Sequence, residues 1–145
     1  KHKVRGVILA ADTCIHLEGE ILGKPSSPEN ALSTLQRLCG GNHEVITGCC
    51  LQDTHSSEEM SFSVSTRVTM ADFPRSVIQA YIDSGEPADK AGSYAIQGSG
   101  GFLVRSIQGS FSNVVGLPLA ETIQALLAMQ AVRCAEAEPQ QDHSL

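Results

Sequence analysis

Met60-Ser61-Phe62-Ser63-Val64-Ser65-Thr66-Arg67-Val68-Thr69-Met70 places Met60, Phe62, Val64, Val68 and Met70 on alternate positions between polar neighbours. That is the period of a half-solvated strand. Immediately downstream the period changes. Asp72 and Pro74 open a segment in which Val77, Ile78, Tyr81 and Ile82 share one helical face, and Gly85 is placed to end it. A chain that switches from one period to the other within so short a stretch layers helices on a sheet.

The same reading extends outward in both directions. Val45 to Leu51 is a second strand, and Gln52 to Glu59 is the polar loop joining it to the alternating one. Before it, Ser26-Ser27-Pro28-Glu29 offers a capping hydroxyl, a proline suited to a first helical turn and an early acid. Ala31, Leu32, Leu35 and Leu38 then follow at helical spacing until Gly40-Gly41. Val4 to Ala11 contains the apolar run Val7-Ile8-Leu9-Ala10-Ala11, which predicts a short buried strand with Asp12 at its end. Downstream, Gly85 to Gly101 holds too many glycines for a regular element and leads as a loop into Phe102-Leu103-Val104. Pro118 begins a last helix with Ile123, Leu126, Leu127 and Val132 available for burial, and Glu136 to Leu145 reads as a polar, frayed tail. No internal repeat or linker interrupts the pattern. The expected fold class is α/β or α+β, with a mixed sheet.

Composition narrows the function. The chain has 145 residues, 41% hydrophobic and only 4% aromatic, which fits one domain with an aliphatic core. Its formal net charge is -6, from 16 acidic and 10 basic side chains, with no Lys/Arg run. A broad electrostatic grip on nucleic acid or anionic lipid is therefore not expected, and an anionic ligand must be held locally or through a metal. No segment has the apolar length of a membrane span, and Lys1-His2-Lys3-Val4 lacks the core of a signal peptide, so the expected location is cytoplasmic. The five cysteines, Cys14, Cys39, Cys49, Cys50 and Cys134, have neither zinc-site spacing nor the density of a disulfide scaffold, and read as reduced structural thiols.

Candidate site residues are individually ambiguous. Asp12 after a strand can bind a divalent ion or orient a water, or simply cap a turn. Lys24, between Gly23 and Pro25, is either an ammonium aimed at a phosphate or a solvated loop lysine. Glu86-Pro87-Ala88-Asp89-Lys90-Ala91-Gly92, followed by Ile96-Gln97-Gly98, suits combined phosphate, metal and base contacts, because glycines admit close backbone approach and Gln both donates and accepts. A solvated turn with an internal ion pair is the commoner outcome for such a loop taken by itself. Gly98-Ser99-Gly100-Gly101 matches neither a Walker nor a Rossmann fingerprint. No serine has a nucleophile-elbow context, and His2, His16, His43, His55 and His143 lack metal-ligand spacing, so covalent catalysis is not expected. His43 reads as a polar residue at a strand start and Asn113 as a turn-former.

Together, Ala11-Asp12-Thr13, Leu22-Gly23-Lys24-Pro25, His43-Glu44-Val45 with Thr47-Gly48, Ser84-Gly85-Glu86-Pro87 with Asp89-Lys90-Ala91-Gly92, Ile96-Gln97-Gly98 and Asn113-Val114-Val115-Gly116-Leu117-Pro118 form an ordered set. From about Ala11 to about Leu127 the chain resembles the Maf, or septum-formation-like, family of nucleoside triphosphate pyrophosphatases. The resemblance implies a fold related to the inosine triphosphate pyrophosphatases, an elongated mixed sheet with flanking helices and a cleft between two lobes. It also implies hydrolysis of a nucleoside triphosphate to the monophosphate and pyrophosphate, assisted by a divalent metal cation, Mg or Mn. In that light Asp12 matches the proton acceptor and a metal ligand, Thr13 and Gln97 match positions that select the base, and Lys24 and Lys90 match the phosphate site. Glu86 and Asp89 are further carboxylates for the metal. The Ala-Asp-Thr form is similar to the subgroup acting on dTTP and UTP, which implies pyrimidine nucleotides, modified ones included, and a house-cleaning role in nucleotide metabolism. A homodimer is the implied assembly.

The family's opening strand, its Ser-x-Ser-Pro-Arg-Arg loop and the helix after it have no counterpart here. The expected organisation is a Maf-like domain over residues 1–135 without that segment, then the tail 136–145. The missing arginines favour the competing reading, a non-catalytic nucleotide-binding or regulatory interaction module that retains the fold.

Overall fold

A computed structural model describes residues 6–135 of the chain. The expected polar tail, and the expected strand start at Val4, fall outside the described residues. Strand β1 (Val7–Leu17) turns into β2 (Glu20–Leu22), and helix α1 (Pro28–Leu38) leads to the hairpin of β3 (Asn42–Asp53) and β4 (Glu59–Met70). Helix α2 (Arg75–Asp83) follows, then 3-10 turns at Glu86–Asp89, Ala91–Ser93 and Ser99–Leu103, strand β5 (Val104–Gln108), and helices α3 (Phe111–Val115) and α4 (Leu119–Ala128).

Local chemistry accounts for several of these elements. The Ser27 hydroxyl accepts a hydrogen bond from the Asn30 amide at 3.1 Å and Pro28 occupies the first turn, so α1 starts where a cap relieves an orphan donor. Ala31, Leu32, Leu35 and Leu38 are its buried stripe, as their spacing predicts. Between β1 and β2, Glu18 and Gly19 take φ of 51° and 89°, and Leu17 pairs with Glu20. A loop with positive φ at both central positions matches the right-handed strand twist and closes a tight hairpin.

The sheet is five-stranded in the order β2-β1-β3-β4-β5. Helices flank it, as the α/β expectation requires. Among the described residues every pairing is antiparallel, where a mixed sheet was expected. The reason is topological. β2 and β3 run the same way, but α1 returns the chain to the far side of β1, so the two never become neighbours.

Alternation puts His43, Val45, Thr47, Cys49 and Leu51 of β3 on the inner face, all buried. One apolar cluster joins α1 and α2 to the sheet through Ile15, Leu35, Val68 and Ile78. A separate one joins Leu51 to Ala125 and Met129 beneath α4. Thus the core lies in two clusters along β3.

Several expectations are corrected by this packing. Val7 to Ala11 is not a buried strand ending at Asp12. Ile8 is 57% and Leu9 37% exposed, and β1 runs on to Leu17 because Thr13, Ile15 and Leu17 keep alternating until the Glu18-Gly19 turn. Gln52 and Asp53 belong to β3 rather than to the loop, and the run Phe102-Leu103-Val104 leads into a strand that pairs Val104 with Met70. In the last helix Ile123 and Leu127 are exposed, and Val132 lies beyond its end and is exposed too, while Thr122, Ala125 and the capping Met129 are buried. That helix is apolar nearly all round, so spacing alone does not select the face that docks.

Candidate active site

The inner face of β1 and β3 supplies Thr13, Ile15 and Val45 as the floor of a cleft of ≈ 690 Å³. One wall is the segment from Glu86 to Gly98, the other is Val114–Gly116, and Lys24 stands at the rim beyond β2. Ala91-Gly92-Ser93 brings the first wall down on the floor. Gly92 has φ of 66°, and a Cβ there would overlap the δ-methyl of Ile15, so only glycine fits. The Gly92 amide donates to the Gly23 carbonyl at 3.0 Å, which ties the loop carrying Lys90 to the residue before Lys24. Two lysines far apart in sequence thereby share one rim.

An ion pair stands at that rim. Lys90 Nζ lies 2.9 Å from Asp89 Oδ1, and this hydrogen bond, with the charge of Lys90 and then of Lys24, holds the Asp89 carboxyl below its usual range. The Glu86 carboxylate accepts from the Ser99 hydroxyl and fills the space where Gly98 would carry a side chain, clasping the wall beside Gln97. The Tyr81 hydroxyl accepts from the Ala95 amide at 3.2 Å, and burial raises its pKa to about 12, so it stays a neutral post. Asp12 is exposed on β1, paired with Gly48, and its Oδ1 accepts from the Thr13 amide at 3.0 Å. It lines both the cleft and the shallow groove on the opposite side of the sheet.

The structure therefore brings Asp12, Thr13, Lys24, Glu86, Asp89, Lys90 and Gln97 to one cleft. It also places there Ile96 and Val114, which stand in the quoted motifs, and Tyr94, which stands in none of them. His43, expected as a polar residue at a strand start, and Asn113, expected as a turn-former, are both interior. His43 is 3% exposed, and burial pushes its pKa down to about 4; its Nε2 lies 2.9 Å from the Tyr94 hydroxyl. Asn113 is fully buried within α3 rather than in a turn, and its Nδ2 donates to the Val45 carbonyl and to Thr66 Oγ1, both at 3.0 Å. The signal for both was their place in quoted motifs, and His43 also stands two residues before Val45 on the inward-facing period of β3.

A family model described as "Maf-like protein" matches residues 1–129. The chain belongs to the Maf-like family. A protein of Nitratidesulfovibrio vulgaris named dTTP/UTP pyrophosphatase is 52% identical over 133 residues, covering 92% of this chain and 62% of that protein. Proteins of the same name from Anaeromyxobacter dehalogenans and Myxococcus xanthus are each 51% identical, over 122 and 119 residues, covering 83% and 82% of this chain and 63% and 59% of theirs. The chain thus spans about three fifths of the length of these curated relatives.

In this Maf-like chain the donor set for a metal is hard oxygen. Among the described residues no three His, Cys, Asp or Glu side chains converge as a preformed cage. Mg²⁺ and Mn²⁺ need none where substrate phosphates and water complete the shell, because one or two carboxylates then suffice. Asp12, Glu86 and Asp89 offer these at the cleft. The described cysteines are all free, and Cys49 is buried in β3 with burial raising its pKa, which makes it a poor nucleophile. No helix among the described residues is long and apolar enough to cross a membrane.

Proposed function

We propose that this Maf-like domain hydrolyses nucleoside triphosphates, dTTP and UTP foremost, to the monophosphate and pyrophosphate, in the cytoplasm where that substrate pool resides. The observation that carries the reading is the convergence of Asp12, Thr13, Lys24, Lys90 and Gln97 on one cleft, from segments far apart in sequence. A cavity of ≈ 690 Å³ lies within the usual range for small-molecule sites, about 300–1,000 Å³. The relatives' shared name supplies the substrate class and the preferred bases.

In this reading the triphosphate lies along the Lys24 and Lys90 rim, whose ammonium groups offset charge that an acidic chain otherwise repels. The base lies toward Thr13 and Gln97, the latter able to present both a donor and an acceptor to a pyrimidine edge. The Asp12 carboxylate takes a proton from water as the water oxygen bonds to the α-phosphorus. The bond from that phosphorus to the bridging oxygen of the β-phosphate breaks, pyrophosphate leaves, and Asp12 returns its proton to solvent. A divalent cation held by Asp12 with Glu86 or Asp89 would neutralise phosphate charge in the cleft. We take residues 1–135 as one Maf-like domain and a homodimer as the assembly, the latter to be read by sedimentation.

The test is pyrophosphate release by the whole protein from a nucleotide panel with Mg²⁺ or Mn²⁺, beside Asp12→Asn. The expected result is turnover of dTTP and UTP that falls roughly 100-fold or more in the variant, with nucleotide binding retained. Binding without pyrophosphate release from any of the panel, in a folded whole protein, would leave a nucleotide-binding module instead.

A further inference from the structure

Successive inward-facing residues of β3 are each tied to a different part of the cleft. His43 meets Tyr94 through the 2.9 Å contact of its Nε2 with the hydroxyl and through an edge-on ring contact at 5.6 Å. Tyr94 is 5% exposed and lies between Lys90 and Gln97 in the chain. Two residues along, the Val45 carbonyl accepts from Asn113 Nδ2. Two further, Thr47 Oγ1 is 2.9 Å from Thr13 Oγ1 and donates to the Asn113 carbonyl at 3.4 Å, while the Thr13 hydroxyl also reaches the Gly116 carbonyl at 3.3 Å. Thr13 is itself on the cleft floor.

Stability alone does not account for these choices. Among the described residues, His43 Nδ1 and Asn113 Oδ1 are buried with no hydrogen-bond partner. Each orphan atom costs free energy that an apolar side chain of similar size would avoid. What the polar residues add is direction, since a hydrogen bond fixes angle and distance where apolar packing fixes only contact. Strand β3 is a suitable datum because it is paired with β1 from His16 to Val7 and with β4 from Thr69 to Glu59, on both of its edges.

Resting on the function proposed above, we infer that His43 and Thr47 are positioning residues that register the two walls of the cleft, Lys90–Gln97 and Asn113–Gly116, against one strand. Neither touches the nucleotide. His43 acts through Tyr94 on the wall that carries Lys90 and Gln97. Thr47 acts through Thr13 and the Asn113 carbonyl on the wall ending at Gly116. The two ties are separate, so each wall can be loosened without the other.

The experiment compares Tyr94→Phe, Thr47→Val and Thr47→Ser in the whole protein by amide hydrogen exchange and by steady-state pyrophosphate release from UTP. Tyr94→Phe is expected to speed exchange at residues 90–98 and leave 113–116 as in the parent, and Thr47→Val to do the reverse. Each should lower kcat/KM about tenfold, the scale of a sub-ångström misplacement of binding groups. Thr47→Ser, which keeps the hydroxyl, should recover most of the loss. Unchanged exchange in both walls, or faster exchange spread evenly over the sheet, would overturn the inference, as would kinetic constants equal to the parent's. If the parent itself releases no pyrophosphate, the proposed function fails, and the exchange pattern still decides whether β3 registers the walls.

Discussion

Single residues at this cleft are constrained by what lies within a few ångströms of them. Gly92 combines a left-handed φ of 66° with a Cβ position that overlaps Ile15. Gly92→Ala is expected to destabilise by roughly 1–3 kcal/mol from overpacking and backbone strain together, read from urea midpoints. Adding Ile15→Val removes the overlapping methyl but not the strain, so a double-mutant cycle should show a favourable coupling between the two sites. His43 makes a pH prediction. Burial lowers its pKa from 6.5 to about 4, so the unfolded chain binds the proton more readily than the native one. Its contribution is therefore fully present above about pH 6.5 and is lost as pH falls toward about 4, by at most roughly 3–4 kcal/mol, since each pH unit between the two values is about 1.4 kcal/mol. His43→Gln should flatten that part of the stability-pH curve. A parent and variant with parallel curves between pH 7 and pH 4 would refute the buried, neutral imidazole.

At the scale of elements, the hierarchy of helix determinants can be tested in α1. Ser27→Ala removes the cap on the Asn30 amide and should cost about 1 kcal/mol, whereas Leu35→Ala, at a fully buried position, should cost roughly 2–5 kcal/mol. Equal thermal shifts for the two would mean that docking against the sheet contributes little. This helix was legible in the sequence because its cap, its proline and its stripe all lie within a few residues of one another. The final helix was legible as a helix but not in its orientation. Leu119, Ile123 and Leu127 are as apolar as a core face, yet Thr122 and Ala125 are the residues buried. Ala125 and Met129 pack with Leu51, a contact from a distant strand that no local period records. Strand β1 shows the same limit. Its apolar start read as interior, but β2 covers only Ile15 to Leu17, so the run before them lies along an open edge.

For the whole molecule, nucleotide binding should appear as added stability. A ligand that binds only the native state at 100 times its Kd contributes about 2.7 kcal/mol, so UTP with Mg²⁺ should raise the melting temperature measurably. Lys24→Ala with Lys90→Ala should abolish most of that shift while leaving the unliganded melting temperature nearly unchanged, because Lys24 is exposed and the ion pair of Lys90 with Asp89 is largely solvated. A full shift in the double variant would place the triphosphate elsewhere. The larger apolar cluster gives this site its floor, where Ile15 and Val45 of that cluster line the cleft beside Thr13.

Strand alternation, the capped helix, the turn glycines and the ordered motifs were all readable from the chain, and with them the layered α/β class and the family. Each is a local signal, set by dihedral preference, periodicity or capping within about a turn of the residue concerned. Which residues share the cleft was not local. Thr13 meets Thr47 and Gly116, Gly92 meets Gly23 and Ile15, and His43 meets Tyr94 only because β1 lies antiparallel beside β3 and the glycine-rich wall folds down onto both. The burial of His43 and Asn113 follows from the same arrangement. Neither a strand start for His43 nor a turn for Asn113 implied burial, which became possible because hydrogen-bond partners brought from distant segments met part of the cost of taking them out of water.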